Sequence, residues 1–260
     1  MQAVDVVMLT KNSEHLLDKC LASIYKNVPV NQLIIVDGFS IDRTLKILHE
    51  ANEKHGNIKL LSSNGSRAKA REKGIQNVST EWFMFADSDV ILSENWFTKA
   101  KENIQGDVGA VWGVNIDVLS RLSDTRLTKF QSLVAKECFN LRGGAHDTLI
   151  RRDLVEDIRI PEELHTYEDA YLMKWIKAKG YRTIVGDGIY CLHYKPPEER
   201  NLTSAIEGAI LELKCGLIYS HNFTYMRYYP VFMFYWIAQI ARHGAKRPIA
   251  DLAPSTNGQT

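Results

Sequence analysis

Two aspartates that follow an apolar, aromatic-rich stretch are the clearest chemical signal in this sequence of 260 residues. The stretch from Trp82 to Ala86 is short and apolar, which predicts a strand covered on both faces. Asp87 and Asp89 come directly after it, at the end of a strand, where an open parallel sheet binds its ligands. Two carboxylates one residue apart can share a hard divalent cation there. An ordinary Asp-Ser-Asp turn is the alternative interpretation.

Polar residues also follow two earlier strand candidates. The segment from Thr10 to Asn12 follows the first, and Asp37 with Asp42 follows the second. Because a doubly wound sheet gathers its strand ends along one edge, we expect these distant groups to share one pocket with the two later aspartates. Neither GxGxxG nor GxxxxGK[ST] occurs, so the sequence supports neither the dinucleotide-binding fingerprint nor the P-loop.

The elements that must position these groups alternate between strand and helix. Four apolar runs predict strands, and three intervening segments have helical periodicity. This alternation predicts an α/β fold with right-handed βαβ units and a doubly wound, mostly parallel sheet. Asn12 or Ser13 is predicted to cap the first helix, and Ser93 to cap a helix that ends near Ile104. The strands are predicted at Val4–Leu9, Leu33–Val36, Ile58–Leu61 and Trp82–Ala86.

The second half of the chain contains a glycine loop and further elements. Gly143 and Gly144 precede His146 and Asp147, and paired glycines indicate a close approach of the backbone to something. A helix is predicted within Pro161–Gly180, with Gly180 as its terminator. The remaining predicted strands are Val108–Val114, Thr148–Ile150, Thr183–Val185 and Ile189–His193, with the last two joined by Gly186-Asp187-Gly188.

Composition sets limits on partners and compartment. A formal net charge of +1, with 24% charged and 45% hydrophobic residues, describes an ordinary globular protein and provides no electrostatic field for nucleic acid. The cysteines form no CxxC pair, which argues against a zinc site and for reduced thiols. The chain leads from Met1 into its first strand without a signal sequence, so we expect a cytoplasmic protein. The four cysteines are Cys20, Cys138, Cys191 and Cys215.

The order of these motifs resembles family 2 of the glycosyltransferases over roughly residues 4 to 195. The resemblance implies a GT-A fold and an inverting transfer, of the hexosyltransferase type, from a nucleotide-sugar donor with a divalent cation, Mn²⁺ or Mg²⁺. The matching stretches are Met8-Leu-Thr-Lys-Asn12 at the first nucleotide-binding loop, Val36-Asp-Gly-Phe-Ser-Ile-Asp-Arg-Thr44 for VDDxSxDxT, Ala70-Arg-Glu-Lys-Gly-Ile75 for ARNxGI, Asp87-Ser-Asp89 for DxD, and Glu168-Asp169 ahead of Gly180-Tyr-Arg182.

The resemblance also implies roles for individual residues. Asp37 would contact the base, Asp87 the ribose or a metal-bound water, and Asp89 the metal itself. Arg67 and Arg71 would lie near the base or the diphosphate. The remaining nucleotide-sugar contacts implied by the matched loops are Thr10, Asn12 and Ser88.

The acidic pair Glu168-Asp169 has two interpretations. From spacing alone, Thr166 could be a helix N-cap with Asp169 at the third helical position, where an acid favours the helix dipole. The family resemblance instead implies that Asp169 is the carboxylate that takes the proton of the acceptor hydroxyl, with Glu168 as the alternative.

Two histidines are open to more than one interpretation. His193 closes a strand and would ordinarily be a half-buried, hydrogen-bonded histidine, although a late histidine serves as a metal ligand in some GT-A enzymes. His146 and Asp147, with Gly143 and Gly144, stand where the family places acceptor-side residues, yet a mobile surface loop would explain them equally well.

Three positions depart from the family pattern. Gly38 stands in place of the second aspartate of VDDxSxDxT, and Lys11 replaces a common tyrosine that can lie against the base. Glu72 replaces the asparagine of ARNxGI. The resemblance therefore does not identify the base. A non-catalytic protein of the same fold that binds nucleotide sugars or serves as a membrane scaffold is one alternative function, and a nucleotidyltransferase is another.

The C-terminal part carries a separate signal. Tyr228 to Ala241 is almost wholly apolar and aromatic, and cations flank it, but it is shorter than the roughly 20 residues of a membrane span. An interfacial helix over 228–247, a core helix and a homodimer face are the interpretations, and the first suits a lipid-linked acceptor. We predict a nucleotide-sugar-binding half (1–114), an acceptor-binding and catalytic region of the same domain (115–200), a helical segment (201–248) and a disordered tail (249–260).

Overall fold

The computed structural model describes residues 1–117, 144–164 and 166–194, together with the single positions 210, 214, 215 and 234. Predictions for Gly143, Cys138, the C-terminal helical segment and the tail therefore lie outside the described residues, apart from those four positions. The division into functional regions stays a prediction.

The described residues form one eight-stranded sheet with the order β3-β2-β1-β4-β7-β6-β8-β5. Six strands run in one direction, while β5 and β7 run against their neighbours. The predicted mostly parallel α/β fold is confirmed. The strands are β1 (Val4–Thr10), β2 (Val30–Asp37), β3 (Ile58–Ser62), β4 (Trp82–Asp87), β5 (Val90–Leu92), β6 (Val108–Asp117), β7 (Asp147–Arg151) and β8 (Arg182–His193).

Helices cover both faces of this sheet, because side chains of a strand alternate between the faces. Met84 of β4 packs in the core beneath one face, and its neighbours Phe83 and Phe85 pack in the core beneath the other. The first core contains side chains of α1, α2 and α4, and the second contains side chains of α3 and α5. The helices are α1 (Leu17–Asn27), α2 (Thr44–His55), α3 (Arg67–Ile75), α4 (Trp96–Glu102) and α5 (Glu168–Ala178), with a 3-10 turn at Arg152–Leu154.

Two predicted helix caps were wrong, each because a tertiary partner replaced a local one. The first helix begins at Leu17 without a side-chain cap, since Asn12 and Ser13 bond to another loop instead. Helix α4 begins at Trp96 after Asn95, while Ser93 exchanges hydrogen bonds with Tyr190 across the β5–β8 pair.

The two short strands predicted near the end of the described chain are one strand, β8. The pairing of β8 with β6 shifts register between the pairs Trp112–Val185 and Val114–Tyr190, so the segment with Gly186 and Gly188 bulges out of the ladder. Gly188 has a φ of 71°, a left-handed conformation that glycine adopts readily. The bulge lets β8 continue to His193, where it pairs with β5.

Candidate active site

The Asp37 side chain links the ends of β1 and β2 to the loop that contains Ser40. Its Oδ1 accepts hydrogen bonds from the hydroxyls of Thr10 and Ser40, at 2.8 and 2.6 Å, and its Oδ2 accepts one from the Ser40 N–H at 2.8 Å. The side chain is buried. A carboxylate offers about four lone-pair positions, so one at Oδ2 remains for a ligand. In the structure Asp37 therefore positions the loop that contains Ser40. Its predicted contact with the base of the nucleotide stays a prediction.

Asn12 ties the first loop to the second. Its N–H donates to Ser40 Oγ at 2.9 Å, and its Oδ1 accepts from the Ile41 N–H at 2.9 Å. Both Asn12 and Phe39 adopt positive φ angles, 51° and 58°. Backbone strain of this kind concentrates at functional sites, and Phe39 is 60% exposed on the loop that it shapes.

The Asp-Ser-Asp turn is joined to the same network. Ser88 Oγ lies 2.9 Å from Ser13 Oγ, and the Ser13 N–H donates to Thr44 Oγ1 at 2.7 Å. Burial opposes ionisation of Asp42, but hydrogen bonds from Thr44 and from the Glu14 N–H outweigh it and lower the pKa of Asp42. The three strand ends therefore form one connected edge, as predicted.

Arg71 lies in a buried ion pair. Its Nε donates to Glu168 Oε1 at 3.0 Å, its terminal nitrogen lies 3.7 Å from Asp87 Oδ1, and its guanidinium stands 4.9 Å from the centre of the Phe85 ring. Burial opposes the charge, but Glu168 and the neighbouring Asp87 and Asp169 raise the pKa of Arg71. The charge of Arg71 is thus paired with carboxylates of the site. A direct contact between Arg71 and the diphosphate stays a prediction. Arg67, by contrast, is exposed at the start of α3.

The acidic pair divides into a buried and an accessible member. Glu168 is buried against Arg71, and burial raises the pKa of Glu168. Asp169 is half-buried, and its Oδ1 accepts the N–H of the next residue, Ala170, at 2.7 Å. The acceptor hydroxyl must reach the carboxylate that takes its proton. The accessible Asp169 is therefore favoured over the buried Glu168 as this catalytic base.

The helix-cap interpretation of this pair is wrong. Helix α5 begins at Glu168, so the residue before it, Tyr167, occupies the N-cap position with a φ of 72° and no side-chain cap hydrogen bond. Thr166 is not the N-cap, and Asp169 is at the second helical position rather than the third. An acid in the first turn still favours the helix dipole.

A candidate cation site joins the two aspartates to His193. Asp87, Asp89 and His193 each offer one ligand atom, and these atoms lie within 4.8 Å of one another. His193 Nε2 is 3.1 Å from Asp89 Oδ2. Carboxylate and imidazole ligands suit Mn²⁺, and carboxylates suit Mg²⁺. The side chains fit such a cation, because all three are only half-buried and so leave room for water or a phosphate oxygen.

The strand β5 brings His193 to this place. Val90, directly after Asp89, pairs with His193 in the antiparallel β5–β8 ladder, and the Tyr194 N–H donates to the Asp89 carbonyl at 2.9 Å. The three residues of β5 were missed in the sequence because so short a run shows no periodicity. Because β5 was not predicted, the sequence related His193 to the metal only through its position late in the chain.

A buried polar layer lies beside the aspartates. His146 Nδ1 is 2.5 Å from Asp147 Oδ1, and Asp147 also accepts hydrogen bonds from the indole of Trp96 at 2.8 Å and from the Gly113 N–H at 3.2 Å. The His146 carbonyl in turn accepts the Asp87 N–H at 3.0 Å. The mobile-loop interpretation is wrong for His146 and Asp147, which are buried.

Gly144 allows this layer to close. A Cβ at Gly144 would meet His146 Nε2 at 2.8 Å, so only glycine leaves the ring its present place. The backbone approach that the paired glycines predicted is therefore present at Gly144. An acceptor could reach His146 or Asp147 only if this packing opened, and their acceptor-side role stays a prediction.

The departures from the family pattern have structural explanations. A Cβ at Gly38 would meet the Cδ atom of Lys11 at 3.3 Å, so the Lys11 side chain lies across the position that an aspartate would fill. Glu72 is buried and accepts the Ile160 N–H, which joins α3 to the segment before α5. Glu72 therefore stabilises the fold, and the Lys11 side chain packs over Gly38.

Asn115 and Ser40 are site residues that the sequence analysis did not single out. Ser40 stands inside the VDDxSxDxT stretch, so the motif already marked it. Asn115 follows the apolar run of β6 at its carboxyl end, and its Nδ2 lies 3.2 Å from His193 Nδ1. A polar residue directly after an apolar strand was the available signal.

The family model described as glycosyl transferase family 2 matches residues 5–158. Among curated relatives, a teichoic acid poly(glycerol phosphate) polymerase of Staphylococcus epidermidis is 26% identical over 189 residues, and glycosyltransferase AglE of Haloferax volcanii is 26% identical over 206. These alignments cover 68% and 74% of this chain, but only 26% and 67% of the relatives. The chain therefore spans about a quarter of the first relative and about two-thirds of the second.

Solved structures share the fold. The mannosyltransferase PcManGT of Pyrobaculum calidifontis, solved in complex with GDP-Man and Mn²⁺, superimposes with a TM-score of 0.64 over 96% of this chain and 77% of that one, at 19% identity. The GT-A fold that the motifs implied is confirmed. None of the helices in the described ranges is long and apolar enough to cross a membrane, and the stretch 228–247 lies outside those ranges except for Phe234.

Proposed function

Because the chain belongs to glycosyl transferase family 2, we propose that it transfers a sugar from a nucleotide-diphosphate donor to an acceptor hydroxyl, with inversion and with a divalent cation. The observation that carries the proposal is the grouping of Asp87, Asp89 and His193 at the sheet edge where Asp37 also lies. Arg71 connects Asp87 to the acidic pair that contains Asp169, so a donor side, a cation site and a candidate catalytic base are adjacent, as such a transfer requires.

Donor binding is assigned to the connected strand ends. The loops that Asp37 holds through Thr10 and Ser40 form the base and ribose side, with Asn12 and Phe39 at its rim. Arg67 is exposed on the first turn of α3 and offers a cation to the diphosphate. The Lys11 chain over Gly38 shapes the pocket in place of two family residues.

Asp87, Asp89 and His193 would hold the divalent cation. The cation supplies charge neutralisation for the diphosphate that leaves. Arg71 keeps Asp87 and Glu168 beside each other, and its buried positive charge limits the mutual repulsion of the carboxylates. PcManGT, a structure with the same fold, was solved with GDP-Man and Mn²⁺, which supports a nucleotide sugar and this cation here.

The chemical step needs one carboxylate on the acceptor side. The acceptor oxygen forms a bond to C1 of the sugar, the bond from C1 to the donor phosphate oxygen breaks, and the nucleoside diphosphate leaves with that electron pair. The hydroxyl proton passes to Asp169, which is the accessible member of the acidic pair. Glu168 positions α5 through Arg71 rather than taking the proton.

The acceptor is proposed from sequence alone. A lipid-linked acceptor would suit a protein that rests on a membrane surface through residues 228–247, and a homodimer contact is the alternative use of that segment. One relative is named as a teichoic acid poly(glycerol phosphate) polymerase, which is compatible with a polymer as acceptor, and the name of the other, glycosyltransferase AglE, states no acceptor. A non-catalytic binding role has less support, since Gly38 and Glu72 have structural explanations.

A donor panel tests the proposal. Melting temperatures are measured with UDP- and GDP-linked hexoses, each with and without Mn²⁺, because a ligand that binds the native state raises its apparent stability. We expect one nucleotide series to raise the melting temperature only when Mn²⁺ is present, and that donor to release nucleoside diphosphate when an acceptor is added. A panel with no shift for any donor would refute the donor site.

A further inference from the structure

Asn115 and Asp89 hold the two ring nitrogens of His193 from opposite sides. Asn115 Nδ2 lies 3.2 Å from His193 Nδ1, and Asp89 Oδ2 lies 3.1 Å from His193 Nε2. Asn115 pairs with Cys191 in the β6–β8 ladder, so His193, two residues further along β8, lies on the same face of the sheet. The contact is therefore built into the pairing of two strands rather than into a loop.

The orientation of the Asn115 amide decides which nitrogen of His193 carries the ring proton. An amide nitrogen can only donate a hydrogen bond, so Nδ1 of the ring must accept and the proton must be on Nε2. The Nε2–H then points at Asp89 Oδ2. In this arrangement Nε2 has no lone pair to offer a cation, although the ring already stands beside both aspartates.

The carbonyl oxygen of the same amide is unpaired among the described residues. Asn115 Oδ1 is buried and has no hydrogen-bond partner among the described residues. A half-turn of the amide places this oxygen against Nδ1, where it accepts a hydrogen bond from the ring, and moves the amide nitrogen to the position that the oxygen held.

We propose that Asn115 is a positioning residue for the cation, because the turned amide fixes the ring proton on Nδ1 and leaves the Nε2 lone pair of His193 for the metal. The inference rests on the cation site of the proposed function and assigns it a further residue. No atom is gained or lost: the ring proton changes nitrogen and the amide exchanges donor for acceptor. A hydrogen bond to the second nitrogen of a ligating histidine fixes its orientation and its tautomer.

Substitutions at Asn115 separate this role from simple packing. Asn115→Asp keeps an oxygen that can accept from Nδ1–H, so we expect its Mn²⁺ affinity to stay at or above that of the wild type. Asn115→Leu keeps a similar volume but has no acceptor, and we expect Mn²⁺ affinity to fall by roughly 10–100-fold. If the leucine variant does not fold, Asn115→Ala removes the acceptor with less crowding.

A matched control is available at the opposite edge of the sheet. Asn77 Nδ2 donates to the Lys73 carbonyl at 2.8 Å at the end of α3, so Asn77→Leu also removes one partly buried amide. This control should leave Mn²⁺ affinity unchanged. Unfolding midpoints of all variants establish that each is folded under the conditions of the titration.

Two readouts on the full chain test the inference. Electron paramagnetic resonance of free Mn²⁺ gives affinities, with Mn²⁺ alone and again with saturating UDP or GDP. Pulsed measurements on the bound Mn²⁺ detect the ¹⁴N coupling of a directly bound imidazole. We expect this coupling in the wild type and Asn115→Asp, and its loss or weakening in Asn115→Leu.

The possible outcomes separately test ligation by His193, the role of Asn115 and the proposed function. A wild-type Mn²⁺ complex without ¹⁴N coupling, or no Mn²⁺ binding under either condition, overturns the inference together with ligation by His193. Coupling in the wild type with an unchanged affinity and coupling in Asn115→Leu overturns the inference alone. Neither readout needs sugar transfer, so a protein that binds Mn²⁺ as expected but transfers no sugar contradicts the proposed function and not this inference.

Discussion

Arg71 Nε donates a hydrogen bond to Glu168 Oε1 at 3.0 Å, although the two residues are 97 positions apart in the chain. Both side chains are buried, and Arg71 also faces Asp87 at 3.7 Å. One cation thereby connects the aspartate turn after β4 with the acidic pair at the start of α5. We assign the aspartate turn to donor binding and the acidic pair to the acceptor side. The ion pair therefore fixes the distance between the donor side and the acceptor side of the site.

The ion pair predicts a large cost when one partner is removed. Arg71→Met should destabilise the protein by about 3–5 kcal/mol, because Glu168 is left as a buried carboxylate without its counter-charge. Urea unfolding at neutral pH measures this loss. The control is Arg182→Met, which breaks the exposed pair with Asp107 and should change stability little. Equal effects of the two substitutions would show that Arg71 contributes no more than a surface ion pair.

Asp169 is predicted to act in the reaction and not in folding. Asp169→Asn keeps the shape of the side chain and the first turn of α5, so donor binding and the unfolding midpoint should stay near wild type. Transfer should fall by roughly 10²–10⁴-fold, the usual contribution of a general base. Turnover and donor affinity measured on the same preparation check the prediction. Retained turnover would leave the residue with the first-turn helix role only.

Glu168→Gln provides the comparison for that experiment. The amide keeps the volume and can still accept from Arg71, but the pair loses one charge inside the core. We expect a clear loss of stability with a smaller loss of turnover than for Asp169→Asn. The opposite ranking, with Glu168→Gln the less active variant, would assign the base to Glu168.

Metal binding should depend on Asp89 more than on any acid outside the site. Asp89→Asn removes a charged ligand with little change in volume, so Mn²⁺-dependent binding of UDP or GDP should be abolished while the fold is kept. Isothermal titration calorimetry measures it. Asp153→Asn, which alters a partly exposed pair with Arg151 outside the site, is the control. Wild-type binding by the Asp89 variant would show that the cation is held elsewhere.

Asp5 predicts how stability changes in acid. Burial opposes its ionisation, but hydrogen bonds from Asn31, Ser79 and Thr80 lower the pKa of Asp5 below its ordinary value in the folded protein. A depressed folded-state pKa means that the stabilisation is present above the unfolded value and is lost as pH falls through the folded one. Asp5→Asn should therefore cost about 1.5–3 kcal/mol at pH 7.

The difference between wild type and Asp5→Asn should narrow as the pH falls below about 4, because the unfolded wild type then binds a proton that the folded protein resists. Urea unfolding from pH 7 to pH 3 gives this difference directly. A difference that stays constant over the whole range would mean that the Asp5 charge adds nothing to the hydrogen bonds that an amide can replace.

The parts of the fold that the sequence predicted are those set by local pattern. Apolar runs located the first four strands, and periodicity located the three helices between them, because burial on a sheet or helix face needs only neighbouring residues. The aspartate turn was found for the same reason. The strand ends of a doubly wound sheet then predicted one shared edge for Asp37 and Asp87, and the structure has both at that edge.

The parts that were missed depend on partners distant in the chain. Asn12 could cap a helix or bond to Ser40, and only the packed loops decide between the two. The three residues of β5 are strand because β8 pairs with them, and that pairing brings His193 to Asp89. The commitment of Arg71 to Glu168 likewise follows from the packing of α3 and α5 on the same sheet face, which no local pattern encodes.

The sequence of the segment from Tyr228 to Ala241 predicts contact with a membrane surface. A helix of this length would measure about 21 Å at 1.5 Å per residue, too short to cross a hydrocarbon core of roughly 30 Å. It could still lie along a surface, where each of the cations from Arg242 to Arg247 adds roughly 1 kcal/mol of attraction to anionic lipid. Phe234 is 75% exposed, as an inserted side chain would be before binding.

Liposome flotation tests this surface contact. We expect the full chain to float with anionic vesicles, to bind less at high salt, and to stay in the soluble fraction when Phe232, Phe234 and Trp236 are changed to serine. Those aromatic side chains supply the apolar contact in the interface, so their loss should matter more than the loss of one cation. Unfolding midpoints confirm that the triple variant is folded. A wild type that does not float with anionic vesicles would favour a core or dimer helix, and a soluble acceptor would then replace the lipid-linked one.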